Sequence, residues 1–188
     1  MSQQELLKRV IKALEDIEVE YMITGSIVSS LQGEPRSTHD MDIVIAIQKS
    51  AVKALIEAFP PSEFYLDENG IVNAIDQKGM FNLITLEGGG KVDFWVLRDD
   101  PFDKSCFARK YVEDVLGIHM YVSSPEDTIL SKLRWAKLSG GSEKHFIDAL
   151  RVYEVQFDKL DMSYLDNWAE ILSVESMLKR LRDEAEII

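Results

Sequence analysis

Two aspartates set two residues apart at the head of an apolar strand constrain this chain more than any other feature. Residues 40–47 read Asp-Met-Asp-Ile-Val-Ile-Ala-Ile. Side chains of a strand alternate between faces, so Asp40 and Asp42 point one way while Met41, Ile43, Ile45 and Ile47 point the other. Two carboxylates on one face repel, and burying them unpaired is costly. A divalent cation removes that cost, and hard oxygen ligands suit magnesium or manganese. Just upstream, Tyr21–Thr24 reads as a strand that turns at Gly25-Ser26 into a short helix ending near Leu31. The free N–H groups and positive dipole end of such a helix favour an anion such as phosphate. A phosphate cradle beside metal-binding carboxylates points to nucleotide chemistry.

The rest of the chain reads as a sheet with helices, then helices alone. Ser2-x-x-Glu5 is a capping box ahead of an apolar face made by Leu6, Leu7, Val10, Ile11, Leu14 and Ile17. Lys49–Phe59 is expected as a helix stopped by Pro60-Pro61, Phe64–Leu66 as a short strand, and Asp67–Lys78 as a helix ended by Gly79. Met80–Leu86 and Lys91–Leu97 flank Glu87-Gly88-Gly89-Gly90, a strong hairpin signal. Within that second strand, Asp93 stands between Val92 and Phe94, where an unpartnered acid is expensive. It wants a cation: a metal shared with the first two acids, or a salt bridge to Lys91 or Arg98. A basic helix over Asp103–Lys110 and two strands about Gly117, Tyr111–Leu116 and Ile118–Val122, complete this part. Ser124-Pro125-Glu126-Asp127 is a helix start, with a Ser cap, Pro in the first turn and acids at the positive end. Helices follow to the end, over about Ser142–Phe157, Tyr164–Leu172 and Val174–Ala185.

Gly25-Ser26 followed by Asp40-x-Asp42 on the next strand resembles the signature of the polymerase-β-like nucleotidyltransferase superfamily. The stretch Pro35-Arg36-x-Thr38-x-Asp40-x-Asp42 is similar to its small bacterial branches, including the AbiEii-type abortive-infection toxins. The resemblance implies an α/β (α+β) fold: a mixed sheet flanked by helices over residues 1–122, the catalytic domain, followed by a helical lobe over 123–188. It implies that Asp40, Asp42 and Asp93 hold two divalent ions, Mg2+ or Mn2+, and that Asp93 doubles as general base. Gly25 and Ser26 then bind the phosphates of a nucleoside triphosphate, with Arg36 and Thr38 flanking the metal strand. Lys132, in Pro-Glu-Asp-x-x-x-Ser-Lys, resembles a lysine that faces the nucleotide in the AbiEii-like relatives, though a solvated helix position is an equal reading. The Lys144/Asp148 pair is also explained as an ordinary i, i+4 ion pair.

The implied reaction moves a nucleoside monophosphate onto a hydroxyl of a protein, a tRNA end or a small molecule, with a toxin–antitoxin or phage-defence role by analogy. The rival reading is a non-catalytic module of the same fold that binds a nucleotide or a protein. Composition narrows the partners. A formal net charge of −12 disfavours a long nucleic acid, which needs a basic face; the basic residues cluster only at 98–109 and 132–144. The single Cys106 excludes an internal disulfide and a Cys-rich zinc site, and it has no matching His for nucleophile chemistry. His39 precedes Asp40 and so faces away from the acids, in a structural or solvent role, and His119 and His145 are single, without metal-ligand partners at spacing. Without an apolar run near ~18 residues or a leader-like start, the expectation is a cytoplasmic protein with no membrane association. Trp135 and Trp168 are expected in the core. Leu165, Trp168, Ile171, Leu172, Met177 and Leu181 are apolar enough to permit a homo-oligomer.

Overall fold

A computed structural model describes residues 1–35, 40–115 and 117–187. Arg36, Thr38 and His39 therefore lie outside the described residues, as does Leu116. The chain divides into two compact units, Met1–Thr24 with Thr38–Val122, and Gly25–Ser37 with Ser123–Ile188.

The first unit carries the sheet. Its strands are β1 (Tyr21–Thr24), β2 (Asp40–Ile45), β3 (Phe64–Tyr65), β4 (Met80–Thr85), β5 (Lys91–Val96), β6 (Tyr111–Val115) and β7 (Ile118–Val122), and its helices are α1 (Gln3–Asp16), α3 (Val52–Ala58), α4 (Glu68–Gln77) and α5 (Pro101–Ala108). The order across the sheet is β3-β4-β5-β2-β1-β7-β6. β2 lies antiparallel to β1 and parallel to β5, β1 is parallel to β7, β4/β5 and β6/β7 are antiparallel hairpins, and β3 joins β4 antiparallel, so the sheet is mixed. The capping box forms: the Glu5 amide donates to Ser2 Oγ at 3.2 Å, and the Ser2 amide donates to the Glu5 carboxylate at 2.6 Å. Behind it Leu6, Leu7, Val10, Ile11 and Leu14 are buried.

Alternation along the strands decides where the core lies. Met41, Ile43, Ile45, Val92, Phe94, Val96, Phe81, Leu83 and Ile23 occupy one face and are all buried. Central strands with one such row each are pinned in register, because a slip of one residue would turn that row outward. α4 packs against β4 and α3, and α3 against α1. Some ends differ from the sequence expectation. β2 stops at Ile45, not Ile47, although the Ala46 amide still donates to the Glu20 carbonyl. The Lys49–Phe59 helix opens with a tighter 3-10 turn over Lys49–Ala51. α4 is closed by Lys78, which takes the left-handed conformation expected of Gly79 (φ 51°).

The second unit gathers α2 (Gly25–Gln32) with α6 (Pro125–Leu138), α7 (Glu143–Gln156), α8 (Met162–Leu172) and α9 (Glu175–Glu184). Two long-range hydrogen bonds tie α2 in. The Gln32 side-chain amide donates to the Ser123 carbonyl at 2.7 Å, and the Gln156 amide donates to the Gln32 carbonyl at 2.8 Å. Gly33 lets the backbones meet: a Cβ there would stand 2.9 Å from the Val152 nitrogen. Ser124 caps α6 by accepting from the Asp127 amide, while Asp127, fully buried, accepts from the Ser124 and Tyr164 hydroxyls.

Trp135 is 46% exposed, so it is not the core residue that its helical spacing suggested, and Trp168 is half-buried. Leu165 and Leu181 are buried inside this unit, whereas Ile171 is exposed; they do not form one free oligomer face. Among the described residues, no helix is long and apolar enough to cross a membrane.

Candidate active site

The face of the sheet opposite the core carries the acids. Asp42 pairs directly with Asp93 across β2 and β5, Asn82 pairs with Asp93 across β4 and β5, and Thr24 pairs with Asp42 across β1 and β2. Paired residues share a face, so four strands contribute one continuous polar row, Asn82–Asp93–Asp42–Thr24. Gly25 is the next residue in the chain after Thr24. Asp40 lies one step outward along β2, exposed and opposite Lys91. The spacing that placed Asp40 and Asp42 on the face away from Met41, Ile43 and Ile45 is thus observed.

Each inner carboxylate is held. The Trp95 indole N–H donates to Asp42 Oδ1 at 3.1 Å. Asp93, only 9% exposed, accepts from the Asn82 side-chain amide and from the Lys91 ammonium, which stands 2.9 Å from Oδ1 and 3.0 Å from Oδ2. Of the two salt-bridge partners that the sequence offered Asp93, Lys91 is the one engaged; Arg98 pairs with Asp103. The hydrogen bond to Asp93 holds the Lys91 ammonium above the usual lysine range; desolvation opposes this, and the charges of Asp93, Asp40 and Asp42 reinforce it.

The donor set fits magnesium or manganese in kind, being carboxylate oxygens on adjacent strands. In the arrangement described, no group of three His, Cys, Asp or Glu residues is drawn close enough to hold a metal ion, among the described residues. At Asp93 the positive charge is supplied by the Lys91 ammonium.

Gly25 opens α2 with φ 71°, a left-handed conformation that an L side chain adopts only with strain. The requirement for glycine there is therefore conformational. Ser26 follows it in the first turn, and its carbonyl accepts from the Ser29 hydroxyl. Lys132 is buried between α6 and α7, its ammonium 2.7 Å from Asp148 and both side chains nearly inaccessible. Asp148 therefore pairs with Lys132, not with Lys144 in the same helix. In the first basic cluster Arg98 pairs with Asp103 and Lys104 with Asp99, and Lys110 just beyond it pairs with Glu20.

Neither a family model nor a curated protein matches the sequence. Solved structures do. The antigenic nucleotidyltransferase-like protein from Paracoccidioides brasiliensis superposes with a TM-score of 0.59 at 16% identity, covering 99% of this chain and 94% of its own. The lincosamide antibiotic adenylyltransferase LnuA, lincomycin-bound, gives 0.56 at 13%, covering 82% and 98%. ANT(2")-Ia in complex with adenylyl-2"-tobramycin gives 0.51 at 13%, covering 96% and 99%. The fold is the nucleotidyltransferase fold.

That likeness speaks to architecture, and the local geometry speaks to the residues. Lys91, Asn82 and Trp95 were not chosen as site residues from the sequence. Their signal is the alternation itself: Asn82 is a lone amide in Met-Phe-Asn-Leu-Ile-Thr, as Asp93 is a lone acid in its strand. Reading the two strands in hairpin register pairs them.

Proposed function

We propose that the chain transfers a nucleoside monophosphate from a nucleoside triphosphate to a hydroxyl acceptor, with divalent metal. The observation that carries this is the in-register pairing of Asp42 with Asp93, beside Asp40, on the face of a nucleotidyltransferase-fold sheet opposite Met41 and Ile43. Asp40, Asp42 and Asp93 would hold Mg2+ or Mn2+. Bound there, such ions lower the pKa of the attacking hydroxyl and offset the charge of the triphosphate and of the leaving pyrophosphate.

The protein groups do the positioning. Gly25 and Ser26, in the first turn of α2, offer backbone N–H groups and a hydroxyl to the phosphates. Trp95 fixes the orientation of Asp42 through its indole N–H. The acceptor oxygen attacks the α-phosphorus, the bond to the bridging α–β oxygen breaks, and pyrophosphate departs in line. Asp93 takes the hydroxyl proton. Arg36 and Thr38 flank the acids in sequence and would add phosphate contacts. Lys132 carries its own buried carboxylate, Asp148, which cancels most of the charge that it could offer a triphosphate.

A small-molecule hydroxyl is the first acceptor class to test. LnuA and ANT(2")-Ia are described with antibiotics, and a net charge of −12 disfavours a polyanionic acceptor. The AbiEii-type placement, and a toxin–antitoxin or phage-defence role with it, rests on the Pro35-Arg36-x-Thr38 stretch. One observation favours the non-catalytic alternative: Lys91 and Asn82 already engage Asp93. The deciding experiment supplies α-labelled ATP, CTP, GTP and UTP with Mg2+ to a lysate fractionated into small molecules, RNA and protein. Magnesium-dependent label above an Asp42→Asn control supports transfer; its absence from every fraction contradicts it.

A further inference from the structure

The proposed metal carboxylates come with a cation of their own. Lys91 precedes Asp93 by two residues on the same face of β5, and its ammonium contacts both oxygens of that carboxylate. The two side chains differ in access. That of Asp93 is 12% exposed and walled in by Asn82, whereas that of Lys91 is 41% exposed and reaches the acid along a solvated stem. Across the strand, Lys91 stands opposite Asp40.

We propose that Lys91 is a resident counter-cation of Asp93, bound there without metal and obliged to let go before a divalent ion can be held. The inference rests on the nucleotidyl-transfer reading. Three carboxylates on two adjacent strands carry three negative charges, and a buried carboxylate without a partner is costly. Lys91 removes one of those charges where desolvation is greatest. A metal ion needs the same oxygens, so the two cations compete for Asp93. Lys91 thereby weakens metal binding to the protein alone. Release becomes easier when a triphosphate arrives, because the freed ammonium then has a new anion to meet. Lys91 is thus a positioning residue that couples metal binding to nucleotide binding, and its flexible stem permits the exchange without movement of the strand.

The test titrates Mn2+ alone into the purified protein and reads free Mn2+ by electron paramagnetic resonance. Lys91→Met should bind Mn2+ on the order of tenfold tighter than the parent, since a like charge has left the site. Lys91→Gln should also bind more tightly, and Lys91→Arg, which keeps the charge, should match the parent. A general loss of structure does not raise metal affinity, so a gain cannot come from damage. The metal-free Lys91→Met protein should melt lower than the parent and recover with Mn2+. Lys91→Met and Lys91→Gln binding Mn2+ no tighter than the parent would overturn the proposal. If the parent still transfers nucleotide in that case, only this inference fails. If neither parent nor variants bind Mn2+ with or without ATP, the nucleotidyl-transfer reading fails with it.

Discussion

Lys132→Met is the substitution for which sequence and structure give opposite expectations. Taken as a solvated or nucleotide-facing lysine, residue 132 should tolerate methionine well, because the apolar stem survives. The structure instead puts its ammonium 2.7 Å from Asp148, with side chains 6% and 7% exposed. Removing one partner of a buried ion pair takes the countercharge away from the other, which typically costs 3–5 kcal/mol. In a chain of this length each kcal/mol lowers the melting temperature by about 2–4 °C, so the drop should be on the order of 10 °C. Replacing both partners with apolar residues, Lys132→Met with Asp148→Leu, removes both buried charges together. Such swaps are often neutral or better, so the double variant should return to within about 1 kcal/mol of the parent. Urea titration of the parent, both single variants and the double variant closes the cycle. A Lys132→Met protein within about 1 kcal/mol of the parent would refute the reasoning.

Three further outcomes follow from the same geometry. Gly25→Val should lose on the order of 2 kcal/mol of stability in denaturant titration, because φ 71° is strained for a β-branched residue; an unchanged midpoint would show that the turn relaxes freely. Ser26→Ala leaves the backbone alone and should weaken nucleotide binding modestly in calorimetry, with an unchanged melting temperature; unaltered affinity would place the triphosphate elsewhere. The Glu5 carboxyl is held below its usual range, first by its hydrogen bonds with Ser2. Its cap contribution is present above the unfolded pKa and is lost as pH falls through the depressed folded value. Acid titration should therefore show a smaller loss of stability between pH 5 and 3 in Glu5→Gln than in the parent, and equal slopes would remove the cap from the account.

Local chemistry made much of the fold legible. Ser2-x-x-Glu5 and Ser124-Pro125 each carry the start of a helix in a few residues, and the Gly-rich turn at 87–90 carries the hairpin. Alternation alone placed Asp40 and Asp42 opposite Met41 and Ile43. What stayed hidden depends on partners distant in the chain. Gln32 bonds to Ser123, 91 residues away, and Gln156 to Gln32 across 124, so α2 joins the helical unit. No local pattern encodes that. Asp148 illustrates the same point: the i, i+4 rule offered Lys144, but the packing of α6 on α7 delivers Lys132. Trp135 fits an apolar helix stripe by spacing yet is 46% exposed, since spacing alone does not say which neighbour covers a stripe. Lys91 was visible beside Asp93, and only the strand register shows that it also faces Asp40.

Metal-dependent nucleotide binding at Asp42 is the most direct test of the central claim. Paired residues on adjacent strands stand about 5 Å apart, and two like charges there repel by about 3 kcal/mol at an effective dielectric near 20. Lys91 already offsets part of this, so Asp42→Asn should melt at the parent's temperature or slightly above it without metal. The asparagine oxygen can still accept from Trp95, which preserves the local hydrogen bond. Each nucleoside triphosphate is then titrated calorimetrically into parent and variant, with Mg2+ and with chelator. The account predicts that at least one triphosphate binds the parent only with Mg2+, and that Asp42→Asn loses this binding while remaining folded. No Mg2+-dependent binding of any of the four to the parent, or undiminished binding by Asp42→Asn, would contradict it.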